Sequence, residues 1–346
     1  MTDEFIRDDQ VAFDGEQADE DLGLEQTLRP RSFDQFVGQR HVRRNLSIAV
    51  AAAKQRGEAL DHVLFSGLPG LGKTTLAYLL ARDLGTNIRE TSGPVLDKPG
   101  DLVGLLTNLE KGDLLFIDEI HRLSHVVEEY LYTAMEDFTI DVMIDSGPAA
   151  RSVRINLKPF TLVGATTREG RLTAPFRARF GLLEHLDPYP AEDLAAIIRQ
   201  SADVLGVTVE DPAADRLATM ARGTPRIANR FLKRIRDLAQ VTSGNVITDE
   251  VALKGLAMMR IDENGLSLMD RRILETVLRA DGTPVGLKTI AVSVGEEEET
   301  IEDVYEPYLI RQGLLLKTPR GRCATARAAE LLGAPAPGDG PGLFDG

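Results

Sequence analysis

The chain has 346 residues, 43% of them hydrophobic and 27% charged, a net charge of −14 at neutral pH and a single cysteine, Cys323. Such a length exceeds one small core and predicts two or three domains of a globular protein. One thiol excludes an intrachain disulfide and a Cys-based zinc site, and there is no run of about 18 apolar residues to cross a membrane.

The first residues, MTDEFIRDDQ, are acidic and lack the apolar core of a secretory signal. A reducing cytoplasm is the expected location, with no membrane association. Residues 1–25 carry ten Asp or Glu against Arg7 alone, a net of −9. Most of the negative excess therefore sits in a tail that is expected to be disordered. A nucleic-acid site elsewhere needs only a local basic patch.

In residues 26–189 helical patterns alternate with short apolar runs. HVLFSG (62–67), DLLFIDE (113–119) and FTLVGATT (160–167) each read as a buried strand ending in polar residues. This predicts an α/β core, a parallel sheet covered by helices on both faces. Two β-rich arms flank a Gly-Pro turn in IDVMIDSGPAARSVRINL (140–157), an inserted hairpin. Residues 190–260 look wholly helical. There Pro190 opens one helix with acids in its first turn, and PRIANRFLKRIRDLAQ sets apolar residues at 227, 231, 235 and 238 on one face. Residues 261–333 contain helical segments at about 267–280, 286–294 and 299–312, then GLLLKTPRGRCATARA, which reads as a hairpin. Three helices and a β-wing predict a winged-helix module. The Gly/Pro-rich end, 334–346, reads as a flexible tail.

GLPGLGKTTLAYLL (67–80) lies between a predicted strand and a helix and has the G-x-x-x-x-G-K-T spacing of a phosphate-binding loop. Gly67, Gly70 and Gly72 let backbone N–H groups close on phosphates, where a Cβ would obstruct. Lys73 brings a positive charge to the β- and γ-phosphates, and Thr74 offers a hydroxyl to Mg2+. In LLFIDEIH, Asp118 suits the Mg2+ shell and Glu119 can orient or deprotonate the attacking water. ATP and Mg2+ are thus the expected cofactors. GATTR ends the next strand with Thr167, or Thr166, placed for the γ-phosphate or the water. APFRARFG (174–181) supplies Arg177 and Arg179, either able to act as an arginine finger on a neighbouring subunit's nucleotide. GTPRIANR puts Arg226 at a helix start, from which it could report nucleotide state to a second domain. In the last module Lys317, Arg320 and Arg322 of KTPRGR are expected to project at DNA phosphates, contacts that position a backbone without reading its sequence. The acids at 296–299 and 302–303 leave one side of that module for DNA. His121 and His125 in HRLSH lack the glutamate of a metalloprotease helix and a third ligand, so no metal is expected on them.

Phosphate loop, acid pair, polar strand tip, finger and helical-domain arginine in this order resemble the AAA+ ATPases. LRPRSFDQFVGQ, GPAARSVRINLKPFTLVGATTREG, LTAPFRARFG, GTPRIANRFLKRIRD and TPRGRCATARA further resemble the RuvB family, motors of Holliday-junction branch migration in recombination and repair. The likeness runs from about Leu28 to Gly333. It implies an AAA+ core, a helical small domain and a winged-helix DNA-binding head. It implies that Leu28, Arg29 and Tyr189 lie near the adenine, and that Gly70, Lys73, Thr74 and Thr75 hold phosphates and Mg2+. Glu136, Asp137 and Phe138 match a nucleotide-contacting stretch of the family, although Tyr130, Ala134 and Phe138 also repeat as a core face. Arg179 rather than Arg177 matches the finger, and Arg226 the sensor of the second domain. The resemblance further implies duplex and four-way-junction DNA as substrate and a homohexameric ring. It also implies docking of the partner RuvA on hairpin 140–157 through Val142 and Ile144, and RuvC in a resolving complex. Leu68 stands where the family pattern has proline, and Cys323 where it has methionine; neither removes a catalytic group. A clamp loader would lack the basic C-terminal module. A protein unfoldase would show an aromatic-Gly pore loop, which SGPVLDKPGDLVGLL does not.

Overall fold

The computed structural model describes Gly23, residues 27–143 and residues 152–335. The acidic tail, the turn of the hairpin with Ile144, and the last residues lie outside these. Two compact units divide the chain after Tyr189.

The first unit contains, in chain order, α1 (Arg40–Arg56), β1 (Val63–Ser66), α2 (Lys73–Leu84), β2 (Ile88–Ser92), α3 (Pro99–Thr107), β3 (Leu114–Asp118), α4 (His125–Glu136), β4 (Thr139–Met143), β5 (Ser152–Asn156), β6 (Thr161–Thr166), α5 (Ala174–Arg177) and β7 (Leu182–His185). Five strands pair in the order β2-β3-β6-β1-β7, and every pairing is parallel. Side chains alternate across a strand. Leu64, Leu115, Ile117 and Leu162 pack with Leu102, Leu106, Val127 and Leu131 in one core, while Phe65, Phe116 and Val163, on the opposite alternation, are equally buried. Burial of both sets is why the three predicted strands read as unbroken apolar runs. The outer strands were not legible: β2 is IRETS and half-exposed, and β7 is LLEH with a mixed pattern, as strands with one uncovered side permit. The inserted hairpin forms as β4 and β5, antiparallel, with Val142 opposite Val153.

The second unit opens with α6 (Ala191–Leu205), β8 (Thr208–Val209), α7 (Asp211–Met220), α8 (Pro225–Thr242), β9 (Val246–Ile247) and α9 (Asp249–Met258). The stretch expected to be wholly helical thus includes a parallel pair, β8 with β9, too short to leave an alternating signal. Then come α10 (Leu268–Leu278), α11 (Leu287–Val294), α12 (Glu306–Arg311), β10 (Leu315–Thr318), β11 (Gly321–Ala324) and α13 (Ala326–Leu332). A helical turn, Glu298–Thr300, reaches α12 through a π-turn at Ile301–Tyr305. Leu266, Ile273, Leu274, Ile290, Ile301, Leu309 and Leu315 make the core of this winged helix. Gly321 sits at φ 144°, and a Cβ there would meet the Val285 carbonyl oxygen at 2.5 Å. That close approach lets Val285 and Arg322 exchange backbone hydrogen bonds at 2.8 Å and tie the wing to the helices. No helix among the described residues is long and apolar enough to cross a membrane.

Candidate functional site

Parallel strands bring their carboxyl ends to one edge of a sheet, where an α/β fold places its ligands. Here β1 lies beside β6, and β6 beside β3, so the phosphate loop, the acid pair and the Thr tip emerge together. The Gly67 N–H donates to the Thr166 carbonyl at 3.2 Å. At φ 137° Gly67 is left-handed, and a Cβ would stand 2.5 Å from the Leu186 carbonyl oxygen; only glycine fits. Lys73 opens α2 and is buried, its ammonium donating to the carbonyls of Gly67 at 2.8 Å and Leu68 at 2.9 Å. A buried ammonium needs such partners, and these fix it within the loop. Thr74 and Thr75 follow, half-buried, in the first turn. Tyr189 is buried against the loop, its hydroxyl donating to the Leu71 carbonyl at 3.2 Å. Leu28 is half-buried. The Arg29 guanidinium lies over the Tyr78 ring on α2, 4.8 Å from its centre.

Asp118 ends β3 and accepts a hydrogen bond from the Glu119 N–H at 2.9 Å. Glu119 itself adopts a left-handed conformation, φ 48°, uncommon for a residue with a side chain. Its carboxylate lies 3.3 Å from Nε2 of His121, whose side chain is 1% exposed. On the other side of the ring Nδ1 is 2.9 Å from Thr166 Oγ1, which also accepts from the Arg168 N–H at 3.0 Å. His121 therefore ties the acidic tip of β3 to the tip of β6. The residue types in HRLSH argue against a metal pair of His121 with His125 and give the ring no other role; His125 stands exposed beside Glu129 at 3.4 Å. The missed signal is a polar ring two residues beyond an acid pair, followed by a hydroxyl at the next strand tip. Of the two threonines, Thr166 is engaged in this way, whereas Thr167 Oγ1 is buried without a hydrogen-bond partner. A buried hydroxyl in that condition is costly unless a ligand completes it. That observation fits a phosphate oxygen or its attacking water, and singles out Thr167.

Arg179 follows the short α5, which Thr173 caps. Its guanidinium donates to the Pro175 carbonyl at 2.8 Å and to the Glu136 carboxylate at 3.1 Å, and stacks over the Tyr132 ring at 4.4 Å. Arg177 has only a distant acid, Glu169 at 3.8 Å. Glu136, Asp137 and Phe138 go separate ways: Glu136 to Arg179, Asp137 to solvent, and Phe138 edge-on to Phe160 at 5.9 Å in the core. Arg226 belongs to the second unit, exposed in the first turn of α8.

In the wing, Arg320 is exposed at the turn. Lys317 is exposed but donates to Glu302 at 2.7 Å. The expectation for Arg322 requires correction. It does not project: its side chain is buried, with Nε and Nη2 both on Glu306. The register sets Lys317 opposite Arg322, and Glu302 of the π-turn and Glu306 at the start of α12 face both. In the hairpin, Val142 is half-buried beside the core, and its cross-strand partner on the same face, Val153, is 45% exposed. Beside it Arg154 grips Asp141 through two hydrogen bonds, at 3.0 and 2.9 Å, and these hold the Asp141 carboxyl below its usual range.

Comparison with known proteins gives a consistent result. Family models described as "Holliday junction DNA helicase RuvB P-loop domain", "RuvB AAA lid domain" and "RuvB C-terminal winged helix domain" match residues 28–186, 189–262 and 263–333. The Holliday junction branch migration complex subunit RuvB of Prosthecochloris aestuarii is 59% identical over 322 residues, covering 93% of this chain and 94% of that protein. Its counterpart from Flavobacterium psychrophilum is 58% identical over 315 residues, covering 91% and 93%. The solved structure of the Thermotoga maritima RuvB Holliday junction branch migration motor superposes with a TM-score of 0.82 at 50% identity, covering 90% of this chain and all of that one.

Proposed function

This chain belongs to the RuvB family of AAA+ ATPases, and from that footing we propose that it is an ATP-driven translocase that pumps duplex DNA to drive branch migration of Holliday junctions. The observation that carries the reading is the strand-tip edge itself: a caged Lys73, the Asp118–Glu119 pair tied through His121 to Thr166, and the open hydroxyl of Thr167. Lys73 receives the β- and γ-phosphates, Glu119 takes the proton of the attacking water, and Thr167 hydrogen-bonds the water or the γ-phosphate. The Thr74 hydroxyl and the Asp118 carboxylate suit Mg2+, a hard cation that takes oxygen ligands and neutralises phosphate charge. Arg179 acts on the nucleotide of a neighbouring copy, which requires a ring, a homohexamer by family precedent. Arg226 senses the nucleotide for the second unit. Lys317 and Arg320 meet DNA phosphates, and Arg322 braces the wing that presents them.

Hairpin β4–β5 docks RuvA, with the exposed Val153 as an apolar contact, and RuvC joins in a resolving complex. The unpaired, half-exposed thiol of Cys323 suits a reducing cytoplasm. The test is ATP-dependent dissociation of a synthetic four-way junction, with and without RuvA, using Lys73→Ala as control. Dissociation that needs ATP and rises with RuvA supports the reading. Robust ATP hydrolysis with no junction movement in the presence of RuvA would overturn it.

A further inference from the structure

The corner between α7 and α8 is built around an arginine in an unfavourable backbone conformation. Arg222 lies at φ 60° and Gly223 at φ 77°, and four residues after Arg222 comes Arg226, in the first turn of α8. Helices often end in a left-handed residue at this position just past the C-cap, usually glycine; the arginine that takes it here is anchored from outside. It is held by the winged helix. The Arg222 guanidinium donates to the Asp270 carboxylate at 2.5 and 3.4 Å and to the Gly265 carbonyl at 3.0 Å. It also stacks over the Tyr308 ring at 4.4 Å. Arg311, from α12, donates to the Arg222 carbonyl. The Asp270 side chain is fully buried and that of Arg222 is 9% exposed. Asp270 takes two more bonds, from the Ser267 N–H at 2.7 Å and the Ser267 hydroxyl at 2.5 Å. Tyr308, in turn, donates to the Asn264 carbonyl at 3.3 Å.

Every member of this network except Arg222 belongs to the winged helix or the segment leading into it. Arg222 alone belongs to the helical domain, at the foot of the helix that carries Arg226. A buried ion pair whose remaining lone pairs are satisfied is a poor source of net stability but a strong constraint on geometry, because separating it leaves a charge stranded in the interior. Consistent with such a constraint, residues 190–346 form one compact unit rather than two.

We propose that Arg222 and Asp270 are positioning residues that lock the winged helix to the foot of α8, making the helical domain and the DNA-binding head one lever. The inference rests on the motor reading above. Any displacement of α8 on nucleotide turnover is then delivered to the wing without slack, as a rigid-body movement.

The test uses full-length protein and two variants. Asp270→Asn removes the charge and keeps the side-chain shape. Arg311→Gln removes the grip on the Arg222 carbonyl without stranding a buried charge, and decides the matter if Asp270→Asn does not fold. Spin labels on Cys323, in the wing, and on a cysteine replacing Val241, 86% exposed near the end of α8, report the distance between the two domains. ATP hydrolysis and base pairs migrated per ATP are measured in parallel. The expected result is a broadened label distance in either variant and ATP hydrolysis within about twofold of the parent. Migration per ATP should be about tenfold lower in Asp270→Asn and less reduced in Arg311→Gln, the scale of coupling mutations. A label distance as narrow as in the parent overturns the proposal, and so does a broadened distance with full migration per ATP. If the parent hydrolyses ATP but moves no junction, the motor reading fails instead, while the label distances still decide whether the lock exists.

Discussion

The strand-tip edge and the wing both receive phosphate, but they are prepared for it in opposite ways. At the edge, the Lys73 ammonium donates to two backbone carbonyls, and Thr167 keeps a buried hydroxyl with no partner. In the wing, Lys317 and Arg322 already face carboxylates, Glu302 and Glu306. An incoming nucleotide therefore meets a lysine held by backbone carbonyls, whereas an incoming DNA strand at Lys317 has to compete with acids supplied by the protein. The first arrangement suits a fuel that must be held tightly through chemistry. The second suits a track that must be gripped and released at every step, since the exposed Lys317–Glu302 pair exchanges in water at little cost.

Five measurements can break or sharpen that contrast. The largest effect is expected at Arg179, because finger arginines contribute about 10³–10⁵ in kcat. Arg179→Ala should retain ATP binding in an equilibrium assay and lose turnover by at least about a thousandfold; parental turnover would remove Arg179 from the mechanism. Glu119→Gln follows, with kcat down about 10²–10⁴ as for loss of a general base, and bound ATP recoverable unhydrolysed after rapid filtration. Replacing His121 with Ala frees the Glu119 carboxylate rather than removing it. The expected loss is about tenfold to a hundredfold in kcat, the lower part of the range for proton-transfer machinery, with ATP affinity unchanged. A parental rate would make the ring a mere filler of the core.

Glu302→Gln tests the wing side. Removing one self-supplied acid should tighten duplex binding severalfold and steepen its fall with salt, as expected when a cation is released to phosphates. Unchanged affinity in a fluorescence titration would mean that the acids do not compete. The smallest effect concerns the opposite, amino-terminal end of the same strands. His62 Nδ1 accepts from the Leu162 N–H at 2.8 Å while Nε2 meets the Met135 carbonyl at 3.2 Å, so the ring is neutral, and burial pushes its pKa down from 6.5. The unfolded chain then takes up the proton first as pH falls below about 6.5, which weakens the fold on acidification and not on alkalinisation. Between pH 7.5 and 5.5 the Tm should drop about 2–4 °C further than in His62→Gln; parallel curves would clear His62 of any part in acid sensitivity.

Much of this contrast could be read before any coordinates. Three central strands, both P-loop termini and the winged helix were legible because each leaves a strong local signature: unbroken apolar runs, glycines at fixed spacing, helix periodicity followed by a Gly-containing turn. What escaped depends on neighbours distant in sequence. The outer strands β2 and β7 carry no apolar run, since one side of each is uncovered. His121 carried no legible role because nothing within HRLSH reveals that Thr166 closes over it. Arg322 looked like a phosphate contact because KTPRGR contains no acid, and its partner Glu306 lies 16 positions earlier, at the start of α12. The charge of a turn is visible in its own residues; its neutralisation is not.

The clasp of Glu136 on Arg179 has a consequence for a subunit alone. A long flexible arginine ordinarily loses rotamer freedom when it reaches for phosphate. Here the pair and the Tyr132 stack have already confined it in the single chain. If Arg179 acts as proposed, what remains is a competition, in which a neighbour's nucleotide draws the guanidinium from a carboxylate in the same chain. On the proposed role of Arg179, a lone subunit would keep its finger sheathed and spare its fuel, and turnover would wait for copies to assemble.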